Sequence, residues 1–111
     1  MNSEMNVSTI YLEKDTITKI ADDLSKSKTT HDEYCWFIAE CELRLKPLYT
    51  SDEPFVNNFI QIKKGVPLGS PAPEEIRKLA EVIYHQGTPP KDLHWFLAER
   101  RYLIAKILTA Q

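Results

Sequence analysis

The sequence predicts an all-α protein of about five helices. Three observations carry that reading: apolar residues recur at helical spacing in separate stretches, start and stop signals bracket those stretches, and one stretch is repeated further along the chain. Residues 1–12 carry no helical period and are expected to form a loose arm. Val7–Leu12 has some strand character, but the comparable segment Phe59–Ile62 looks helical in its context, which leaves a lone strand nothing to pair with.

From Asp15 onward, Ile17, Ile20, Ala21 and Leu24 fall at i, i+3, i+4, i+7, so a first helix is expected to end near Ser27. Thr30 to Glu33 reads Thr-His-Asp-Glu, a capping box whose hydroxyl and carboxylate satisfy backbone N–H groups left open at a helix start. The second helix follows and is stopped by Pro47. Ser51 or Asp52, with Pro54 in the first turn, would cap a third helix carrying Phe55, Phe59, Ile60 and Ile62 up to Gly65. The segment 65–73 is a loop by its glycines and prolines. A fourth helix starts near Pro73 and stops at Gly87, and a fifth runs from the Pro89-Pro90 entry to about Leu108.

Slid against itself by 59 positions, the segment 17–46 lies on 76–105 without a gap, and eight of thirty positions are identical. The pairing includes Trp36 with Trp95 inside a shared Trp-Phe-[Ile/Leu]-Ala-Glu run, in a chain with only two tryptophans. This internal duplication predicts two similar helical hairpins, 13–48 and 73–111, bridged by a central helix and a Pro/Gly loop over 49–72, all in a single helical domain 1–111. Ile17, Ile20, Ala21 and Leu24, and their counterparts Ile76, Leu79, Ala80 and Ile83, are expected to pack on the partner helix of their own hairpin.

The second and fifth helices are apolar on two sides. Tyr34, Phe37, Ile38, Cys41, Leu45 and Leu48 form one side of the second, with Trp36, Ala39 and Leu43 opposite. Leu93, Phe96, Leu97, Ile104 and Ile107 form one side of the fifth, with Trp95, Ala98 and Tyr102 opposite. A helix apolar on two faces either sits in the middle of a bundle or offers its second face to a partner. Trp36, Leu43, Trp95, Ala98, Arg101 and Tyr102 are the candidate partner-binding residues, because tryptophan, tyrosine and arginine are the usual anchors of interfaces. Arg100 stands where Cys41 stands in the first copy, within the core stripe. It is expected to pair with a carboxylate such as Glu81 or Asp92, or to reach out at the stripe's edge.

Other chemistries are weakly signalled. His31, Cys35, Cys41, His85 and His94 show neither Cys-x-x-Cys nor His-Glu-x-x-His, so no metal or other cofactor is expected. Glu40 and Glu99 are related by the repeat but lack the Glu-x-x-His spacing of carboxylate-bridged metal bundles. No Gly-x-Ser-x-Gly elbow or phosphate-binding loop occurs, so the chain is not expected to be an enzyme. Cys35 and Cys41, about 120° apart on one helix, read as reduced thiols of a cytoplasmic protein. The longest unbroken apolar run, Tyr34–Ala39, is far too short for a membrane span.

With 14 basic and 16 acidic residues, no stretch approaches a basic footprint. A nucleic-acid-binding regulator using the fourth and fifth helices as a helix-turn-helix is the alternative reading. The run LAEVIYHQGTPPKDLHWFLAERR resembles helical hairpins of small bacterial, plasmid and phage accessory proteins. The expected function is thus a small non-enzymatic protein–protein interaction module, an adaptor, regulator or inhibitor, binding a foreign protein or a second copy of itself.

Overall fold

The computed structural model describes residues 6–110. Its elements are β1 (Val7–Tyr11), α1 (Lys14–Ser25), α2 (His31–Leu45) continued by a 3-10 turn (Lys46–Leu48), β2 (Phe59–Lys63), α3 (Pro73–His85) and α4 (Pro90–Thr109). The all-α expectation is therefore corrected: four helices accompany a two-stranded antiparallel sheet, and the expected central helix does not form. Of the expected loose arm, residues 1–5 lie outside the described residues, and Val7–Tyr11 is a strand.

The central segment is a strand because its apolar residues alternate. Ile60 and Ile62 are buried while Gln61 and Lys63 are exposed, a period of two that a helix would scatter around its circumference. The partner it needs comes from the far end of the chain. Val7 pairs with Lys63, Thr9 with Gln61 and Tyr11 with Phe59, and Leu12 N–H to Asn58 C=O (2.9 Å) closes one end of the ladder. Residues 51–58, expected as the start of a helix, supply turns and bends instead.

The capping box forms as the sequence requires. Thr30 Oγ1 accepts from Glu33 N–H (3.2 Å), and Glu33 Oε1 accepts from Thr30 N–H (2.8 Å). At the other end of α2, the returning loop touches the helix closely enough that Gly69 N–H reaches Arg44 C=O at 2.7 Å. A Cβ at Gly69 would stand 2.7 Å from Leu43 C=O, so only glycine fits that crossing.

The core is built on a seam between α2 and α4. Tyr34, Ile38, Cys41, Leu45 and Leu48 step along the first helix and its 3-10 continuation at intervals of four and three. Leu93, Leu97, Arg100, Ile104 and Ile107 do the same along α4, each 59 positions on. The two helices run side by side in the same direction, with Tyr34 against His94 near their starts (ring centroids 4.9 Å) and Phe37 under Arg101 a turn or two later. Leu45 and Leu97 are fully buried, each contributing roughly 1.5–3 kcal/mol by leaving water.

The outer helices are exchanged. α1 packs on α4 and α3 packs on α2, so each first helix covers the long helix of the other copy, and the expectation that each hairpin closes on itself is corrected. Ile17 sits in a cluster with Ala98 and Tyr102, flanked by Ile20, Ala21 and Trp95. The physical reason is that α2 and α4 turn their first apolar side to each other and leave the tryptophan side of each outward, where the other copy's short helix reaches it.

Candidate functional site

The exchange decides where the candidate partner-binding residues lie. Ala98 is fully buried and Tyr102 is 4% exposed, both beneath α1, and Tyr102 donates its hydroxyl hydrogen to Tyr11 C=O at 3.0 Å. Both therefore belong to the core of the single chain. Trp36, Leu43 and Trp95 are half-buried, and Arg101 is exposed with its guanidinium 5.3 Å over the Phe37 ring. The six residues do not form one surface, because Trp36 and Leu43 lie on the α2–α3 side and Trp95, Ala98 and Tyr102 on the α1–α4 side. α4, the recognition helix of the alternative nucleic-acid reading, gives its two apolar sides to α1 and α2.

Arg100 occupies the seam layer opposite Cys41 and is held from all sides. Its Nε donates to Glu42 Oε1 at 2.9 Å, and its Nη1 donates to Phe96 C=O at 2.9 Å and to Glu99 Oε1 at 3.4 Å. The guanidinium carbon lies 4.4 Å from the Phe55 ring centre and 5.6 Å from that of Phe96. Glu42 and Glu99 thus take the place of the expected Glu81 or Asp92. Glu81 is instead tied, with Glu74, to Arg77 on the surface of α3.

Glu99 is 9% exposed, and burial pushes its carboxyl above the usual carboxylate range while Arg100 pulls it back. Tyr49 donates to Glu42 Oε1 at 2.5 Å. Burial first, and the Glu42 charge second, raise its phenol well above the ordinary tyrosine range. Burial also raises both cysteine thiols, which keeps them protonated at neutral pH. This cluster locks the loop 49–58 onto the helices through Tyr49 and Phe55, and every charge in it has a partner within the fold.

Among the open grooves of the described residues, one lies between α2 and α3. It encloses about 340 Å³ and is lined by Cys35, Trp36, Ala80 and Tyr84, with Asp32, Arg77 and Glu81 on its rim. Tyr84 is 48% exposed and stands edge-on to His31 at 5.2 Å, at the end of α3 that meets the start of α2. Sequence reasoning singled out Trp36 but missed Tyr84 and Ala80. Tyr84 follows the Ile76, Leu79, Ala80, Ile83 stripe by one position, and its large exposed ring beside a helix stop was the available signal. Arg77 is engaged by Glu74 and Glu81, so the carboxylates dominate the rim.

These features define a small helix-rich domain with a two-stranded sheet, an exchanged pair of outer helices and an apolar groove edged by acids. Comparison with protein-family models, with curated proteins and with solved structures finds no match for the chain. Among the described residues, no helix is long and apolar enough to cross a membrane.

Proposed function

We propose that the protein is a non-enzymatic protein-binding module whose docking site is the α2–α3 groove. The observation that carries this reading is the pairing of a half-exposed Tyr84 with Trp36 in a groove whose lining is mostly apolar. Two aromatic side chains around a small floor of Ala80 and Cys35 suit an aliphatic or aromatic anchor from a partner, as interface hot spots do. Asp32 and Glu81 favour an anchor flanked by lysine or arginine, since complementary charge steers the encounter and fixes its register.

The test is affinity capture from a lysate of the source cells with three baits: wild type, Tyr84→Ala and Tyr84→Glu, each first checked for an unchanged helical circular dichroism spectrum. A protein retained by wild type should bind Tyr84→Ala with at least about tenfold lower affinity and be lost from Tyr84→Glu. Retention indifferent to both substitutions, or no protein retained by wild type, would sink the reading.

A further inference from the structure

The sheet has one covered edge and one open edge. On the outer side of β2, Tyr49 bridges Ile62 and Thr50 Oγ1 donates to Gln61 C=O at 3.0 Å, so that edge is occupied by the chain itself. Among the described residues no strand pairs on the outer edge of β1, which borders a groove shared by Ser8–Tyr11 with Tyr102, Lys106 and Ile107 of α4. The terminal ladder bonds, Lys64 N–H to Asn6 C=O and Leu12 N–H to Asn58 C=O, fix the register: even-numbered residues of β1 face β2. The backbone N–H and C=O groups of Val7, Thr9 and Tyr11 therefore point away from the sheet. Of these, the Tyr11 carbonyl takes the Tyr102 hydroxyl, and Thr9 is exposed. A row of this kind is a template for another strand.

We infer that the free edge of β1 pairs with β1 of a second copy, antiparallel and centred on Thr9, to make a four-stranded sheet across a two-fold homodimer. The edge is self-complementary in that register. Thr9 exchanges both backbone hydrogen bonds with its own symmetry mate, and Tyr11 N–H donates to Val7 C=O of the second copy while Val7 N–H shares the Tyr11 carbonyl with the Tyr102 hydroxyl. The side chains of Val7, Thr9 and Tyr11 share the outward face of the strand. Pairing sets Tyr11, 66% exposed in the single chain, against Val7 of the second copy, an aromatic and β-branched cross-strand pair of a favourable type. Charge agrees with the antiparallel sense. Lys63 and Lys64 lie beside the start of β1, and Glu13, Lys14 and Asp15 follow its end with Lys106 nearby, so two-fold pairing keeps the two basic starts apart and sets each by the carboxylates of the other copy. A parallel arrangement would set like charges together. The surface is separate from the α2–α3 groove, so the inference stands apart from the proposed function.

The experiment is native mass measurement of the full chain from about 1 µM to about 1 mM, alongside two variants. Thr9→Pro removes the central outward N–H without touching a bond to β2, because proline is tolerated on an edge strand whose N–H faces solvent. Thr9→Cys places a thiol opposite its own mate at a Cα separation of about 5.5 Å, suited to a disulfide. The native cysteines are buried and do not compete. Wild type should pass from 12.9 kDa to twice that mass as concentration rises. Thr9→Pro should weaken this at least about tenfold, and Thr9→Cys should form a linked dimer under mild oxidation while Val56→Cys, exposed on another surface, should not. A wild type that stays at 12.9 kDa throughout would overturn the inference. So would a dimer untouched by Thr9→Pro, or a Thr9→Cys chain that links no faster than Val56→Cys.

Discussion

Replacing Arg100 by alanine removes the centre of a partly dry charge cluster, and the structure sets the size of the effect. The side chain is 14% exposed, its partners Glu42 and Glu99 are 31% and 11% exposed, and two phenyl rings cover the guanidinium. Removing one member of a buried pair costs about 3–5 kcal/mol, because the remaining charge stays in a poorly solvated site. Glu42 is open enough to be partly rehydrated, so the low end applies, about 3 kcal/mol. That corresponds to a fall in melting temperature of roughly 10–15 °C for a domain of this size. Lysine at the same position keeps the charge but loses the planar fork and the stacking, and should lose about half as much. Urea unfolding at neutral pH, followed by circular dichroism, measures both. A second reading comes from Glu99. Its carboxyl is raised in the folded protein, so it disfavours folding once ionised, and stability lost as pH rises through its folded pKa returns on acidification towards the unfolded value. Arg100→Ala removes the counter-charge that pulls Glu99 down, so its titration should move to higher pH and the destabilisation should shrink as pH falls towards the carboxylate range. A destabilisation under about 0.5 kcal/mol, the scatter of ordinary surface substitutions, would refute this account of the cluster.

Three further outcomes are expected. Thr30→Ala removes one half of the capping box and should lower stability by about 1 kcal/mol, while Thr30→Ser should be nearly neutral; urea midpoints decide between them. Gly69→Ala forces a Cβ against Leu43 C=O at 2.7 Å and should cost more than Gly87→Ala, where the strain is only the left-handed backbone at φ 67°, so the two melting temperatures should rank in that order. The thiols of Cys35 and Cys41, buried and raised above the ordinary thiol range, should react with a thiol reagent at neutral pH only on the timescale of opening, and at full speed in denaturant.

Local signals placed the four helices that form, while those at Ser51, Pro54 and Gly65 marked a central helix that does not. The capping box at Thr30, the stop at Pro47 and the proline entry at Pro90 mark boundaries within a few residues of those observed, because capping and proline chemistry act over a single turn. The strands were hidden for the opposite reason. Phe59–Lys63 alternates plainly, yet it gains its ladder from Val7–Tyr11, some fifty residues away, and a reading that leaves the partner without a mate discards both. Amphipathic spacing also shows that Ile17 and Leu24 must be covered, but not by which helix, so the exchange of outer helices was not legible. The pairing of Arg100 with Glu42, fifty-eight positions apart, follows from the side-by-side packing of α2 and α4. Of the candidate site, Trp36 was visible as a rare aromatic off the seam, whereas the burial of Ala98 and Tyr102 depended on where α1 comes to rest.

The crossing of the outer helices also sets the order in which the molecule is completed. As a ribosome releases the chain, α1 emerges with Ile17, Ile20 and Leu24 bare and waits for α4, the fourth of the described helices to emerge. Contacts that join the front of a chain to its rear delay closure relative to a bundle of neighbouring hairpins. Cleavage in the 65–72 loop would leave two fragments, each lacking the helix that shields its own tryptophan ridge. Mixed together, the fragments would reassemble by supplying each other's missing helix.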